Sequence, residues 1–156
     1  MKDGHDRLAA LVDGLLYDME TLHPELPPNM SMFINYWDDF LPMAQGGEML
    51  VREGKISSDT ATIAAPIPFP SSCRDGYAFR QHVAAARRNR KVEMIPEFDQ
   101  FPIFYFTNHH SIQGPGDIYC MPDHLNKLDF ELEVAIVICR HGRNIPAEEA
   151  DQYIGG

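Results

Sequence analysis

The stretch Leu128-Asp129-Phe130-Glu131-Leu132-Glu133-Val134-Ala135-Ile136-Val137-Ile138 constrains the fold more than any other in this chain. Its first half alternates. Leu128, Phe130, Leu132 and Val134 fall on one face of a strand, and Asp129, Glu131 and Glu133 on the other. From Val134 to Ile138 it is continuously apolar, the pattern of a strand buried on both faces. Three carboxylates on one face of a strand that enters a core repel one another. Either that face is solvated, or a hard divalent cation sits between the carboxylate oxygens. The strand alone leaves both readings open.

At 156 residues the chain suits one ordinary domain with a real core. Its 44% hydrophobic and 23% charged content belongs to the soluble globular class. A formal net charge of −10 argues against nucleic acid as a partner. It leaves room for an anionic small-molecule substrate, because one bound cation reverses the local field. No apolar run approaches membrane-spanning length, so no membrane partner is expected. The start, Met1-Lys2-Asp3-Gly4-His5-Asp6, lacks the charged-then-apolar order of a signal peptide. Cys73, Cys120 and Cys139 have no C-x-x-C spacing and read as reduced thiols of a cytoplasmic protein.

In chain order, Leu8, Leu11, Val12, Leu15, Leu16, Met19 and Leu22 recur at helical spacing. They predict an amphipathic helix over 6–22, capped by Asp6 and stopped by Pro24, Pro27 and Pro28. From Met30 to Leu50 an aromatic cluster reads as a packing surface. It includes a short helix broken at Pro42 and a loop at Gly46-Gly47. Residues 60–70 read as a strand running into a proline-stiffened segment. That segment separates a lead-in, 1–65, from a second unit, 66–156. Asp75 to Arg90 reads as a helix with Asp75 and His82, seven apart, on one face. Arg87, Arg88, Arg90 and Lys91 load its C-terminal end, either complementing the helix dipole or binding an anion. Phe101–Phe106 reads as a strand, followed by a loop at Thr107–His110 and a turn over 111–117. His109 and His110 are adjacent, so on a strand they point opposite ways and seldom share a metal. Arg140-His141-Gly142-Arg143 reads as a hairpin-like turn, and Pro146 to Tyr153 as a short helix with proline first.

Three separated stretches together resemble the fumarylacetoacetate hydrolase family. They are Ser72-Cys73-Arg74-Asp75-Gly76-Tyr77-Ala78-Phe79-Arg80-Gln81-His82; Phe104-Tyr105-Phe106-Thr107-Asn108 with Gly114-Pro115-Gly116-Asp117; and Leu128–Glu133 with Gly142-Arg143-Asn144-Ile145 and Tyr153-Ile154. The resemblance covers about residues 60–156 in order and spacing. It implies an α+β, mainly β architecture. This is the family's mixed β-roll, incomplete here and preceded by a small helical N-terminal segment. It also implies a divalent metal, Mg²⁺ foremost with Mn²⁺ or Ca²⁺ as alternatives. Carried over residue by residue, Asp75, Glu131 and Glu133 are the implied metal ligands. His82 is the implied catalytic base, and Tyr77, Tyr105 and Arg87 are the implied substrate contacts.

The implied reaction is hydrolysis of a C–C bond in diketo acids of the fumarylacetoacetate or acylpyruvate type. The metal acts as Lewis acid and template, and His82 activates water. Relatives that decarboxylate, isomerise or hydrate oxo-dioic acids use the same site, so that alternative stays open. A non-catalytic member of the family is the third reading. The family pattern continues with a further metal-ligand Asp in a motif resembling Asn-Asp-x-Ser-Ala-Arg-Asp, and with a Lys. The chain therefore resembles the N-terminal half of such an enzyme, with Cys139 where the family usually has Gly. The resemblance also implies a homodimer, or a complementing C-terminal fragment, as partner.

Overall fold

The computed structural model describes residues 5–156. In chain order the elements are β1 (Ala9–Val12), β2 (Leu15–Asp18), α1 (Met19–Leu22), α2 (Met30–Asn35), α3 (Trp37–Arg52), β3 (Arg74–Gly76), α4 (Arg80–Asn89) and β4 (Phe104–Phe106), with short 3₁₀ turns after α4 and β4. The chain divides into two units. One comprises the residues up to Ile67 with Gln113–Gly156, and the other is Pro68–Ile112. Helical residues account for 33% and strand residues for 12%. The fold is thus a mixture of helix and small sheets, and the mainly β balance expected from the sequence is corrected.

Asp13-Gly14 decides the start of the first unit. Asp13 has φ 51° and Gly14 φ 82°, the two left-handed positions of a tight primed turn. β1 and β2 close across it as an antiparallel hairpin, Val12 opposite Leu15 and Ala9 opposite Asp18. The helix expected over 6–22 is therefore absent. Its apolar spacing also serves a hairpin, which buries Val12 and Tyr17 and leaves Leu11 and Leu15 exposed. The cap is Asp18 rather than Asp6, and its carboxylate accepts the Glu20 N–H of α1 at 3.1 Å. Asp18 is buried, and Arg7 balances its charge, Nε to Oδ2 at 2.6 Å. Hydrogen bonds to Glu20 first, and then to Asp18, raise the Arg7 guanidinium above its ordinary value.

Asn29 caps α2 through the Met32 N–H at 2.9 Å. α3 then runs 16 residues straight through Pro42, Gly46 and Gly47, correcting the break and the loop expected there. Pro42 removes one backbone donor near the start of the helix. Phe40, Met43, Ala44 and Val51 of α3 pack against the core, and this offsets the loss. Gly47 has its own reason to be glycine: a Cβ there would stand 2.6 Å from Leu22 Cβ. The core gathers Leu8, Val12, Tyr17, Met19, Leu22, Leu26, Phe33 and Val51. Each such side chain contributes about 1.5–3 kcal/mol by leaving water. Phe33 sits edge-on to Trp37 at 5.6 Å and stacks with Phe40 at 5.9 Å.

Later in the same unit, Ile138 and Ile154 form an antiparallel bridge. Cys139 N–H donates to the Tyr153 carbonyl at 2.9 Å, and Gly155 N–H to the Val137 carbonyl at 2.9 Å. Arg140 ties this bridge to α3 by a forked contact with Asp38, Nε to both carboxylate oxygens at 3.1 Å. The long strand expected over 128–138 is not formed. Residues 128–137 carry no ladder among the described residues, and Phe130, Leu132 and Val134 are 84%, 93% and 94% exposed. Alternation specifies two faces, but a strand also needs a neighbour for its backbone groups. The strand expected over 60–70 is likewise absent. Only Asp59, just before it, reaches a strand, its N–H donating to the Leu16 carbonyl at 2.7 Å. Pro146 is followed by a 3₁₀ turn, Ala147–Tyr153.

The second unit pairs β3 with β4 antiparallel, Arg74 opposite Phe106 and Gly76 opposite Phe104. Between them lies α4, whose Val83 is fully buried. Arg87 and Arg88 occupy its last turn, and Lys91 (φ 57°) turns the chain beyond it. Arg80 makes a forked pair with Asp99, at 3.0 and 3.2 Å. Among the described residues no helix is long and apolar enough to cross a membrane.

Candidate functional site

Asp75 belongs to β3, and α4 begins only at Arg80. The expectation that Asp75 and His82 share a helical face is therefore corrected. The physical reason is the pairing of 74–76 with 104–106, which claims Asp75 for a ladder before the helix can start. That pairing sets Asp75 directly opposite Tyr105. The Tyr105 hydroxyl donates to Asp75 Oδ2 at 2.6 Å, the length of a charge-assisted O–H···O⁻ bond. On the neighbouring ladder position the Arg74 guanidinium lies over the Phe104 and Phe106 rings, at 5.4 and 4.9 Å from their centroids. Such cation–π contacts are worth about 0.5–1 kcal/mol each at exposed sites. Arg74 escaped the reading of the sequence. The available signal was the Phe104-x-Phe106 alternation, which places two rings on one face of β4.

Tyr77 extends the pairing by one residue, its N–H donating to the Ile103 carbonyl at 3.0 Å. Its ring meets the His82 imidazole edge-on, 6.1 Å between centroids at 66°. His82 stands exposed in the first turn of α4. The second unit thus brings four of the singled-out residues together in two pairs, Asp75 with Tyr105 and Tyr77 with His82. Arg87 is engaged locally: its Nε donates to the Glu93 carbonyl and closes the turn after α4.

Glu131 and Glu133 belong to the first unit and lie exposed in its unladdered segment. Neither carboxylate has a hydrogen bond or ion pair among the described residues. Asp129, beside them, accepts the Phe130 N–H at 2.9 Å. A hard divalent cation asks for charged oxygen donors. Asp75, Glu131 and Glu133 offer only such donors, and no Lys or Arg neutralises any of the three among the described residues. In donor chemistry the three residues fit the group.

The family profile described as "Fumarylacetoacetate (FAA) hydrolase C-terminal" matches residues 71–156. The chain is 26% identical over 158 residues to "Oxaloacetate tautomerase Fahd2a, mitochondrial" of Rattus norvegicus, covering 100% of this chain and 47% of that protein. It is 23% identical over 155 residues to "Fumarylacetoacetate hydrolase domain-containing protein 2 homolog" of Dictyostelium discoideum, covering 96% and 47%. It is 25% identical over 145 residues to "Oxaloacetate tautomerase FAHD2B, mitochondrial" of Homo sapiens, covering 92% and 43%. The chain spans about half the length of these curated relatives. No solved structure matches it significantly. The profile covers more than half of the chain, and the stretches from Ser72 onward that hold Asp75, Tyr77, His82, Tyr105, Glu131 and Glu133 all lie within it: the protein belongs to the fumarylacetoacetate hydrolase family.

Proposed function

We propose that this protein supplies the metal ligands and the general base of an enzyme that interconverts the keto and enol forms of a 2-oxo dicarboxylic acid of the oxaloacetate type. The observation that carries the reading is the contact between His82 and Tyr77, an imidazole beside a phenol. Keto–enol exchange needs a base at carbon and a hydrogen-bonding hydroxyl near oxygen, and these two side chains provide both. The names of relatives matched over nearly the whole chain support the substrate class.

Asp75, Glu131 and Glu133 would hold the cation, Mg²⁺ foremost and Mn²⁺ or Ca²⁺ next. A divalent ion bound there supplies positive charge for the substrate's oxygens and orients the acid. His82 takes the proton from the methylene carbon, since imidazole both accepts and returns protons near neutral pH. The imidazolium so formed gives that proton to the enolate oxygen, which Tyr77 steadies by a hydrogen bond, and the reverse direction carries the same proton back to carbon. Arg87 remains a proposed contact for a substrate carboxylate through the guanidinium nitrogens that the Glu93 carbonyl does not occupy.

The second reading is C–C hydrolysis of fumarylacetoacetate-like or acylpyruvate-like acids, and the description of the matching family favours it. There His82 would activate water rather than a carbon acid. The exposed apolar face of Phe130, Leu132 and Val134 supports a partner, either a second copy or a complementing polypeptide. Sedimentation of the purified chain tests that part: a monomer at all concentrations counts against a second copy.

The chemistry is tested with the Mg²⁺-loaded protein on enol-oxaloacetate and on an acylpyruvate, following enol absorbance and carboxylate products. Accelerated loss of the enol band without C–C cleavage supports the tautomerase. That acceleration should vanish in His82→Ala and survive in Tyr119→Phe, a change at a hydroxyl on a 90% exposed residue. Pyruvate released from the acylpyruvate would instead establish the hydrolase. Unchanged rates with His82→Ala would remove both.

A further inference from the structure

We infer that Tyr105 acts through Asp75, as the residue that positions this metal-ligand carboxylate, rather than through contact with the substrate. The inference rests on the proposed metal role of Asp75 and assigns the ligand a support. Three observations carry it. Asp75 and Tyr105 are direct register partners of the β3–β4 ladder, where facing Cβ atoms are closest. The hydroxyl donates to one named oxygen, Oδ2, at 2.6 Å. The other oxygen, Oδ1, accepts no hydrogen bond among the described residues.

Physical chemistry says why such a bond matters. The terminal torsion of an aspartate is broad and roughly two-fold. An Asp75 carboxylate without a partner would spread its oxygens over many directions. A phenol on a strand has a rigid ring and few rotors, so its hydroxyl selects one carboxylate plane. The strand pair that sets this geometry is itself clamped by Arg74 over Phe104 and Phe106, and these neighbours alternate with Asp75 and Tyr105 along the two strands. Hydrogen bonds of this kind to metal-ligating carboxylates are worth about 10- to 100-fold in metal affinity. Tyr77, by contrast, meets the imidazole of His82, so the two tyrosines divide the work between ligand and base.

The experiment is a double-mutant cycle on Mn²⁺ binding, measured by calorimetry and by electron paramagnetic resonance of free Mn²⁺. The forms are the full chain, Tyr105→Phe, Asp75→Asn, the double variant, and Tyr119→Phe as control. The expected result is an affinity loss of about 10-fold or more for Tyr105→Phe, a comparable or larger loss for Asp75→Asn, and no further loss when Tyr105→Phe is added to Asp75→Asn. A second readout begins on the unsubstituted protein, where no variant has to fold. In protein labelled with 3-fluorotyrosine, the Tyr105 resonance should shift on adding Mg²⁺, and the shift should vanish in Asp75→Asn. Full Mn²⁺ affinity in Tyr105→Phe alongside a weakened Asp75→Asn overturns the positioning role and leaves the metal site standing. Equal, additive losses from the two changes, or a Tyr105 resonance indifferent to Mg²⁺, overturn it as well. Unchanged affinity in Asp75→Asn overturns the metal reading itself, and the inference with it.

Discussion

The two antiparallel pairs of this protein are built on opposite economies. β1 and β2 are joined by two residues, Asp13 and Gly14, and lay Val12 and Tyr17 into a shared core. β3 and β4 are separated by the whole of α4 and its flanking turns, and every residue of β4 is exposed. The first pair is local in sequence and held by burial. The second is distant in sequence and held by a hydroxyl on a carboxylate and a guanidinium on two rings. Apolar burial is the less directional force and dominates folding, whereas polar contacts at exposed positions add little net stability but are geometrically exacting. The second pair carries Asp75 and Tyr105 of the proposed site, where direction matters more than strength.

That contrast can be broken at graded cost. Phe33→Ala removes the ring between Trp37 and Phe40 in the first core. It should cost about 3–5 kcal/mol, read by denaturant unfolding followed through Trp37, the chain's single tryptophan. Val83→Ala strips two methyl groups from the fully buried side chain of α4. It should cost about 1.5 kcal/mol and speed hydrogen exchange of the α4 amides. A value near the Phe33 result would mean that the second unit depends on burial as much as the first. Gly14→Ala meets no neighbour, so its cost is the left-handed backbone alone, roughly 1 kcal/mol. Thermal melts should show a lower midpoint with unchanged secondary structure, and no change at all would refute the hairpin turn.

The smallest effect is electrostatic. The hydrogen bond from Arg140 holds the Asp38 carboxyl below the ordinary carboxylate range. A depressed folded value gives stability that is present above the unfolded value, near about 3.9, and lost as pH falls through the lowered folded value. Arg140→Gln should therefore remove a small stabilisation that is fully present at neutral pH, and its difference from the parent protein should shrink as pH falls below about 4. A larger loss at pH 3 than at pH 7 would contradict this.

These regions also differ in how far the sequence disclosed them. Asp13-Gly14 carried the hairpin signal in plain view, yet the apolar spacing from Leu8 to Leu22 matches a helix equally well, and periodicity outweighed the turn. Pro42 and Gly46-Gly47 pointed to breaks that packing on Leu22 and Phe33 overrides, since tertiary contacts dominate propensity. β4 was legible because Phe-Tyr-Phe can hardly be anything else. Asp75 was singled out but placed on the wrong element, because its ladder partner lies 30 residues away and no local window contains it. The alternation of Leu128–Glu133 was real as a pattern. It said which faces the strand presents and nothing about which backbone would pair with them. The bond from Tyr105 to Asp75 needed coordinates, because two residues in separate strands reveal their contact only once the register is known.

The bridge that buries Cys139 gives the molecule an internal clock. Cys73 and Cys120 are partly open to solvent, whereas Cys139 is closed off with its thiol against the Tyr153 carbonyl at 3.5 Å. A thiol reagent should therefore modify two sulfurs at solution rates, and the third only as often as residues 137–139 part from 153–156. Counting modified thiols against time by mass spectrometry would time that parting directly. A third sulfur that reacts as fast as the other two would show the bridge spending much of its life open.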